Sequence, residues 1–212
     1  MKKGLFITFE GVDGCGKSTQ ARYLYEYLTK KGEDVLLTRE PGGCQISEKI
    51  RGIILDVENA AMSDHAEALL YAASRAQLVD EVLLPALSEK KIVICDRFFD
   101  SSVAYQGYGR GLGGDYILSL NAHSVENCMP DYTFFMDFSP EDAKKRMSDR
   151  GQKDRLESAG DGFFNKVYEG FIALRDRFPE RYVSFDVSGT KEQTRGLIAK
   201  KAEEILEKWR NS

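Results

Sequence analysis

One stretch near the start of the chain has the residue types and the spacing that bind phosphate groups. The pattern G-x-x-x-x-G-K-[ST] is matched in full by Gly11-Val12-Asp13-Gly14-Cys15-Gly16-Lys17-Ser18. Its glycines lack a Cβ, so the backbone N–H groups can approach anionic oxygens closely. We expect Lys17 to reach the β- and γ-phosphates of a nucleotide and the Ser18 hydroxyl to ligate Mg²⁺. The stretch therefore predicts a site for a nucleoside triphosphate with its Mg²⁺.

The residues on either side of this loop favour the same interpretation. Leu5 to Phe9 is an apolar run of strand length, and Thr19 begins a stretch with apolar residues at helical spacing. A strand, a glycine turn and a helix place the loop at a helix N-terminus, where the helix dipole favours negative charge. The alternative, a glycine turn with a surface lysine, would explain neither flank. We expect the nucleotide to contact the loop from Gly11 to Thr19.

An acidic residue at the end of another apolar run indicates a second ligand for the metal. Ile92-Val93-Ile94-Cys95 is followed by Asp96 and Arg97. An aspartate in this position of a nucleotide-binding protein holds Mg²⁺ directly or through water. A helix N-cap is the alternative role for Asp96, and the phosphate loop upstream favours the metal. Arg97 would then point at the same anionic site.

Other polar side chains could bind a second ligand beside the loop. Within about two helical turns of Arg97 come two hydroxyls, a phenol and an amide, which suit a base or a sugar: Ser101, Ser102, Tyr105 and Gln106. Arg39 and Glu40 follow the second predicted strand. Arg39 could hold a phosphate that Glu40 orients, or the two could form a surface ion pair. Arg51 is either another phosphate contact or a solvated helix arginine.

An aromatic residue and an arginine lie on one face of a long predicted helix. The helical pattern runs from Met62 to Leu87, and Tyr71 and Arg75 are four residues apart within it. A ring with a guanidinium one turn away can stack on a base and hydrogen-bond its edge. The alternative places Tyr71 half in the core beside a surface arginine.

A segment without apolar residues follows the helical pattern after the fourth predicted strand. Ser148-Asp149-Arg150-Gly151-Gln152-Lys153-Asp154-Arg155 concentrates positive charge, which predicts a mobile lid over about residues 148–157. Arginines on such a lid can close over a transferring phosphoryl group and exclude water. A solvated charged loop is the alternative, and the phosphate site upstream favours the lid.

Five apolar runs alternate with helical patterns along the chain. They lie at Leu5–Glu10, Asp34–Thr38, Lys91–Asp96, Tyr132–Phe138 and Tyr182–Val187. This alternation predicts an α/β fold in a single domain over residues 1–212, a three-layer sandwich with helices on both faces of a five-stranded parallel sheet. Ligands collect at the carboxyl ends of strands in such folds, which is where the candidate residues fall.

The composition argues against several classes of function. The chain has 212 residues and a net charge of −4 at pH 7, which offers no broad attraction to nucleic acid or to an anionic membrane. We expect neither a signal peptide before Phe6 nor an apolar run long enough to span a bilayer. The four cysteines are scattered without metal-ligand spacing, so reduced thiols in the cytoplasm are expected.

The motifs together resemble those of the bacterial thymidylate kinase family, and the resemblance covers nearly the full length of the chain. The residues that carry it are Phe9–Thr19, Thr38–Gly43, Tyr71–Arg75, Asp96-Arg97, Ser101, Ser102, Ala104–Gly107 and Asp154–Glu157. The phosphate loop alone indicates only a superfamily, whereas the Asp-Arg pair running into Ala-Tyr-Gln-Gly is far more specific. The resemblance implies transfer of the γ-phosphoryl group of ATP to dTMP, with Mg²⁺, by a homodimer.

The resemblance also implies a role for each candidate residue. Tyr71 would stack on thymine, Tyr105 would crowd the 2′ position and disfavour ribose, and Asp13 would sense the sugar 3′-hydroxyl. The base edge would be read by Arg75, Ser101, Ser102 and Gln106, and the monophosphate would be held by Arg39, Arg51 and Arg97. The phosphate loop lacks an arginine, so the lid would supply the catalytic one, as Arg150 or Arg155, beside Lys17 and Arg97.

Two other functions share part of this pattern. A deoxynucleoside kinase has the same loop and uses a carboxylate as base, which Glu40 could imitate, but the Asp96-Arg97 element argues against it. A switch NTPase that binds partners would need, if specific for GTP, an N-K-x-D base reader, which the sequence lacks.

Overall fold

The computed structural model describes residues 4–147, 155 and 161–211. Within them one sheet contains β1 (Leu5–Glu10), β2 (Val35–Arg39), β3 (Ile92–Asp96), β4 (Tyr132–Asp137) and β5 (Tyr182–Asp186). The strand order is β2-β3-β1-β4-β5, and each neighbouring pair is parallel. The predicted five-stranded parallel sheet is confirmed, and each predicted strand boundary lies within one residue of the observed one.

Helices connect these strands. They are α1 (Lys17–Lys30), α2 (Gln45–Leu55), α3 (Asp64–Leu78), α4 (Leu84–Ser88), α5 (Phe99–Ser102), α6 (Gly114–Leu120), α7 (Ala122–Asn127), α8 (Pro140–Met147), α9 (Asp161–Arg177) and α10 (Lys191–Asn211). A π-helical segment, Val79–Leu83, joins α3 to α4, so the long predicted helix is observed from Asp64 to Ser88. A second π-helical segment, Val103–Gly109, continues α5.

The sheet is covered by helices on both faces. All six residues of β1 are buried, as are Ile92 to Cys95 of β3. Successive side chains of a strand point to opposite faces, so complete burial requires a layer on each side. Rings of Phe9, Phe134 and Phe185 pack edge to face across the sheet, with centroids 5.3 and 5.1 Å apart. The continuous apolar strands of the sequence reflect this double burial.

The parallel register brings the chemically interesting residues to one edge. Phe9 lies beside Asp96 in the β1–β3 pair, and Arg39 lies beside Asp96 in the β2–β3 pair. The loop after β1 and the carboxyl ends of β2 and β3 therefore meet. The predicted lid at about residues 148–157 lies outside the described residues except for Arg155. Among the helices that the structure describes, none has the length and apolar character needed to cross a membrane.

A cluster of buried charges lies beneath this edge. Arg181 donates two hydrogen bonds to Asp100, at 2.7 and 2.6 Å, and both side chains are buried. Glu10 accepts hydrogen bonds from the backbone N–H of Phe98 at 2.7 Å and from the Ser101 hydroxyl at 2.5 Å. Burial, followed by the nearby charge of Asp100, raises the pKa of Glu10 to about 8.

The variant Glu10→Gln should make stability less dependent on pH. The slope of the unfolding free energy with pH follows the protons bound by the unfolded chain minus those bound by the folded protein. Between pH 4.5 and about 8, folded Glu10 keeps a proton that the unfolded chain loses. Its contribution to stability therefore falls as pH rises through this window, at about 1.4 kcal/mol for each pKa unit of difference.

Urea unfolding at a series of pH values measures this effect. The variant should show a smaller fall in unfolding free energy between about pH 5 and about pH 8 than the parent protein. The exposed Glu126 offers a matched control, because Glu126→Gln should keep the parent profile. A Glu10→Gln profile parallel to that of the parent would contradict the assignment.

Candidate active site

One cavity of about 280 Å³ opens at the carboxyl edge of β1, β2 and β3. Pro41 and Leu55 form part of its wall, and every other lining residue was singled out from the sequence: Asp13, Gly14, Gly16, Lys17, Ser18, Thr19, Arg39, Glu40, Arg51, Tyr71, Arg75, Asp96, Arg97, Ser101, Ser102, Tyr105 and Gln106. The remaining predicted loop residues, Gly11, Val12 and Cys15, are buried within the loop.

Glycines shape the phosphate loop because its backbone takes positive φ angles. Gly11 has a φ of +141° and Gly16 a φ of +100°, which L side chains rarely adopt. At Gly11 a Cβ would also lie 2.7 Å from the Met136 carbonyl oxygen. Lys17 begins α1 and turns back over the loop, where its Nζ atom donates to the Val12 carbonyl at 2.8 Å. The helix N-terminus and the ammonium group thus lie together, as anion binding requires.

Two oxygen-bearing side chains at this edge fit a magnesium ion. The Oδ1 atom of Asp96 is buried and has no hydrogen-bond partner among the described residues, a cost that a cation or its water would relieve. Ser18 is exposed and lines the same cavity. Mg²⁺ prefers oxygen ligands and usually takes one or two protein groups together with substrate phosphates. The residues present therefore fit the ion.

Arg97 connects the end of β3 to the phosphate loop. Its Nη2 atom pairs with Oδ1 of Asp13, and its Nη1 atom donates to the Ser101 hydroxyl at 2.9 Å and to the Gly11 carbonyl at 3.2 Å. The Tyr105 hydroxyl donates to the other Asp13 oxygen at 2.7 Å. Arg97 has a φ of +73°, an uncommon value for a residue with a side chain, and these contacts hold it there.

These contacts keep the ion pair charged. Burial alone would raise the pKa of the Asp13 carboxyl, but the charges of Arg97 and Lys17 and the hydrogen bond from Tyr105 outweigh it, so this pKa lies below its usual value. Burial alone would lower the pKa of Arg97, but Tyr105 and Asp13 raise it instead. A fixed positive charge therefore faces the phosphate loop.

Arg75 is held in place by an acid and an amide. Its Nε atom donates to Oε2 of Glu40 at 2.7 Å and its Nη1 atom to Oδ1 of Asn121 at 2.6 Å. A guanidinium carries five N–H groups, so at least one remains for a ligand in the cavity, where Tyr71 also lies. Burial raises the pKa of Glu40 to about 7, and the charge of Arg75 opposes that rise.

Two more guanidinium groups converge on a single carbonyl. Arg39 and Arg51 each donate to the Pro41 oxygen, at 2.9 and 2.8 Å. Positive charges this close repel each other, and a phosphate held between them would be stabilised. The alternative of a surface pair between Arg39 and Glu40 is wrong, because Arg39 pairs with Glu48 and Glu40 pairs with Arg75.

Comparisons with known proteins assign the chain to a family. The sequence model described as thymidylate kinase matches residues 9–208. The chain belongs to the thymidylate kinase family. The thymidylate kinase of Thermoanaerobacter sp. (strain X514) is 51% identical over 184 residues, which are 87% of this chain and 90% of that relative.

Further relatives match at greater coverage. The thymidylate kinase of Caldanaerobacter subterraneus subsp. tengcongensis is 47% identical over 205 residues, which are 96% of this chain and 97% of that relative. A crystal structure of thymidylate kinase from Ehrlichia chaffeensis superposes with a TM-score of 0.76 at 33% identity, and it covers 94% of this chain and 98% of its own.

Two adjacent serines of this thymidylate kinase family member have different surroundings. Ser101, predicted to read a base edge, donates to Glu10 and accepts from Arg97, so here it positions Arg97. The Ser102 hydroxyl is buried and lacks a hydrogen-bond partner among the described residues. The structure therefore leaves Ser102 available to a ligand.

Some residues that organise the site were missed from the sequence, and Glu10, Asn121 and Glu67 are examples. Glu10 holds Ser101, Asn121 holds Arg75, and Glu67 accepts a hydrogen bond from the Gln106 amide at 2.8 Å. A signal existed for Glu67, because it lies one turn before Tyr71 on the same helix. No local signal marked Asn121, whose partner is 46 residues away.

Of the two candidate lid arginines, the structure describes only Arg155. The Nη2 atom of Arg155 lies 2.7 Å from Oε2 of Glu67, and its Nε atom donates to the Ile54 carbonyl at 2.9 Å. Arg155 does not belong to the cavity wall described above. Arg150 lies outside the described residues.

The variant Arg75→Met should destabilise the protein by about 3 kcal/mol or more, because it leaves Glu40 buried without its ionic partner. Urea unfolding measures the loss, and adding Glu40→Gln should recover part of it. Arg177→Met removes an exposed pair with Asp115 and should cost less than about 1 kcal/mol. Equal losses in the two single variants would show that the buried pair is not what stabilises this region.

Proposed function

We propose that this protein is a dTMP kinase, which transfers the γ-phosphoryl group of ATP to dTMP and gives dTDP and ADP for dTTP biosynthesis. The observation that carries the proposal is one cavity whose wall includes both the phosphate loop and the Tyr71–Arg75 pair. The loop suits the phosphates of ATP, and the ring and guanidinium suit a base. The relatives reported above are named thymidylate kinases, which agrees with this assignment.

The remaining wall residues suit the acceptor nucleotide. Arg75, Ser102 and Gln106 would read the thymine edge while Tyr71 stacks on its face. The acceptor phosphate would be held by three guanidinium groups, those of Arg39, Arg51 and Arg97. Asp13 and Tyr105, which share a hydrogen bond, would lie beside the sugar, where Asp13 would contact the 3′-hydroxyl and Tyr105 would crowd the 2′ position and disfavour ribose.

The proposed reaction needs charge and position more than it needs a base. The nucleophile is a phosphate oxygen that is already anionic near neutral pH, so no strong base has to remove a proton. Glu40, the base that a deoxynucleoside kinase would use, is buried against Arg75. Lys17 and Arg97 would neutralise the charge that develops between the two nucleotides. Mg²⁺, held by Asp96 and Ser18, would supply further positive charge to the donor phosphates.

We also propose that the protein works as a homodimer in the cytoplasm. On α2 and α3 the apolar side chains of Ile46, Ile53 and Leu69 are 48%, 48% and 52% exposed. Apolar surface of this kind commonly marks contact with a partner. All four cysteines are free, as expected in a reducing compartment.

With ATP and Mg²⁺, the protein should release ADP rapidly only when dTMP is present. A coupled assay over a panel of nucleosides and nucleoside monophosphates measures this selectivity. Lys17→Ala should lower kcat by about a hundredfold or more, because a charge that stabilises the transition state is lost. Equal use of thymidine would identify a nucleoside kinase instead, and ADP release that ignores the acceptor would identify an NTPase.

Arg150 and Arg155 should contribute unequally to the transfer step. Glu67 and Ile54 already hold the Arg155 guanidinium, so we assign the transition-state contact to Arg150. Arg150→Ala should then lower kcat by about 10³ or more, and Arg155→Ala by much less. Single-turnover kinetics separates this step from product release. A larger kcat loss in Arg155→Ala would reverse the assignment.

A further inference from the structure

A buried carboxylate outside the cavity wall, that of Glu67, accepts a hydrogen bond from the wall residue Gln106. Glu67 lies on α3 one turn before Tyr71, and its side chain is 0% exposed. Its Oε1 atom accepts from the Gln106 amide at 2.8 Å. Its Oε2 atom lies 3.0 Å from Nη2 of Arg110 and 2.7 Å from Nη2 of Arg155. Glu67 has no part in the proposed phosphoryl transfer, although it contacts Gln106, which is proposed to read the base.

The surroundings of Glu67 fix which end of the Gln106 amide faces it. Two guanidinium groups pair with the Glu67 carboxylate, and a carboxylate can only accept hydrogen bonds. An amide has a donor end and an acceptor end. The NH₂ end of Gln106 must therefore face Glu67, and the carbonyl oxygen is left for the other side of the amide.

The other side of this amide is the cavity. Gln106 belongs to the cavity wall, together with Tyr71, Arg75 and Ser102. A carbonyl oxygen at this point accepts a hydrogen bond from a ligand that carries a ring N–H. Thymine has such a group at N3, whereas the same nitrogen of cytosine is an acceptor and would face the oxygen with no proton between them.

We propose that Glu67 is the positioning residue that makes the site select thymine over cytosine, by locking the Gln106 carbonyl oxygen toward the acceptor base. This inference rests on the proposed dTMP kinase function. Glu67 lies outside the cavity wall, so it would not touch the substrate and would act through the orientation of the Gln106 amide. Arg110 and Arg155 hold the Glu67 carboxylate in place, so the NH₂ end of the Gln106 amide keeps its acceptor.

The test is the ratio of the dissociation constants for dTMP and dCMP, measured by calorimetry on the full chain. In Glu67→Gln the new amide can donate as well as accept, so Gln106 is free to turn. The preference for dTMP over dCMP should fall about tenfold, because a turned Gln106 amide no longer accepts from thymine N3–H and can donate to cytosine N3 instead. Glu67→Asp keeps the charge for both arginines but retracts the acceptor from Gln106, so it should lower the same ratio if Glu67→Gln fails to fold.

A matched control lies on the same helix. Asp64 also pairs with Arg110, with its Oδ1 atom 3.4 Å from Nε, and no hydrogen bond joins it to Gln106 among the described contacts. Asp64→Asn should therefore leave the ratio within twofold of the parent value. A merely structural role of Glu67 would lower stability and weaken both nucleotides alike, so an unchanged ratio in the folded Glu67 variants would overturn the inference. Failure of the parent protein to bind dTMP would instead overturn the proposed function.

Discussion

The ion pair between Arg97 and Asp13 is the contact on which the rest of the site depends. Arg97 lies at the end of β3 and Asp13 lies in the loop after β1, so the pair ties two adjacent strand ends together. Its partial burial keeps solvent from screening it as strongly as a surface pair. The same guanidinium also holds Gly11 and Ser101, so the shape of the phosphate loop and the start of the next helix follow from its position.

The site collects positive charge, and acids from other elements offset the repulsion. Arg97 is paired with Asp13, Arg75 with Glu40, and Arg39 with Glu48. Each acid also limits the directions in which its guanidinium can point. Groups held this way need little rearrangement when anions bind, which is the condition under which fixed charges contribute most to catalysis.

Regular elements and short motifs were predictable because their signals are local. The strands are apolar over their whole length, which identified them and the double-sided burial of the sheet. The phosphate loop is specified by eight consecutive residues. Asp96 was placed by its position after an apolar run, and the parallel register then brings it beside Arg39.

Side-chain partnerships were not predictable because they join distant parts of the chain. The Glu40–Arg75 pair spans 35 residues and the Arg75–Asn121 contact 46, and periodicity reports only the face on which a residue lies. Ser101 and Ser102 look equivalent in the sequence. Only the folded structure shows that Glu10 and Arg97 occupy the first hydroxyl, while the second has no partner within the part of the chain that is described.

The π-helical segment Val103–Gly109 restricts how the chain can change in length. Such a segment accommodates one more residue per turn than an α-helix does, and both Tyr105 and Gln106 line the cavity from within it. Losing one residue from the wide turn would let it close into a regular α-helix, in which successive side chains are about 100° apart. Tyr105 and Gln106 lie inside this turn, so they could not both keep their places on the cavity wall. A change of length within Val103–Gly109 would therefore disturb the site even where the helix on either side stays in register.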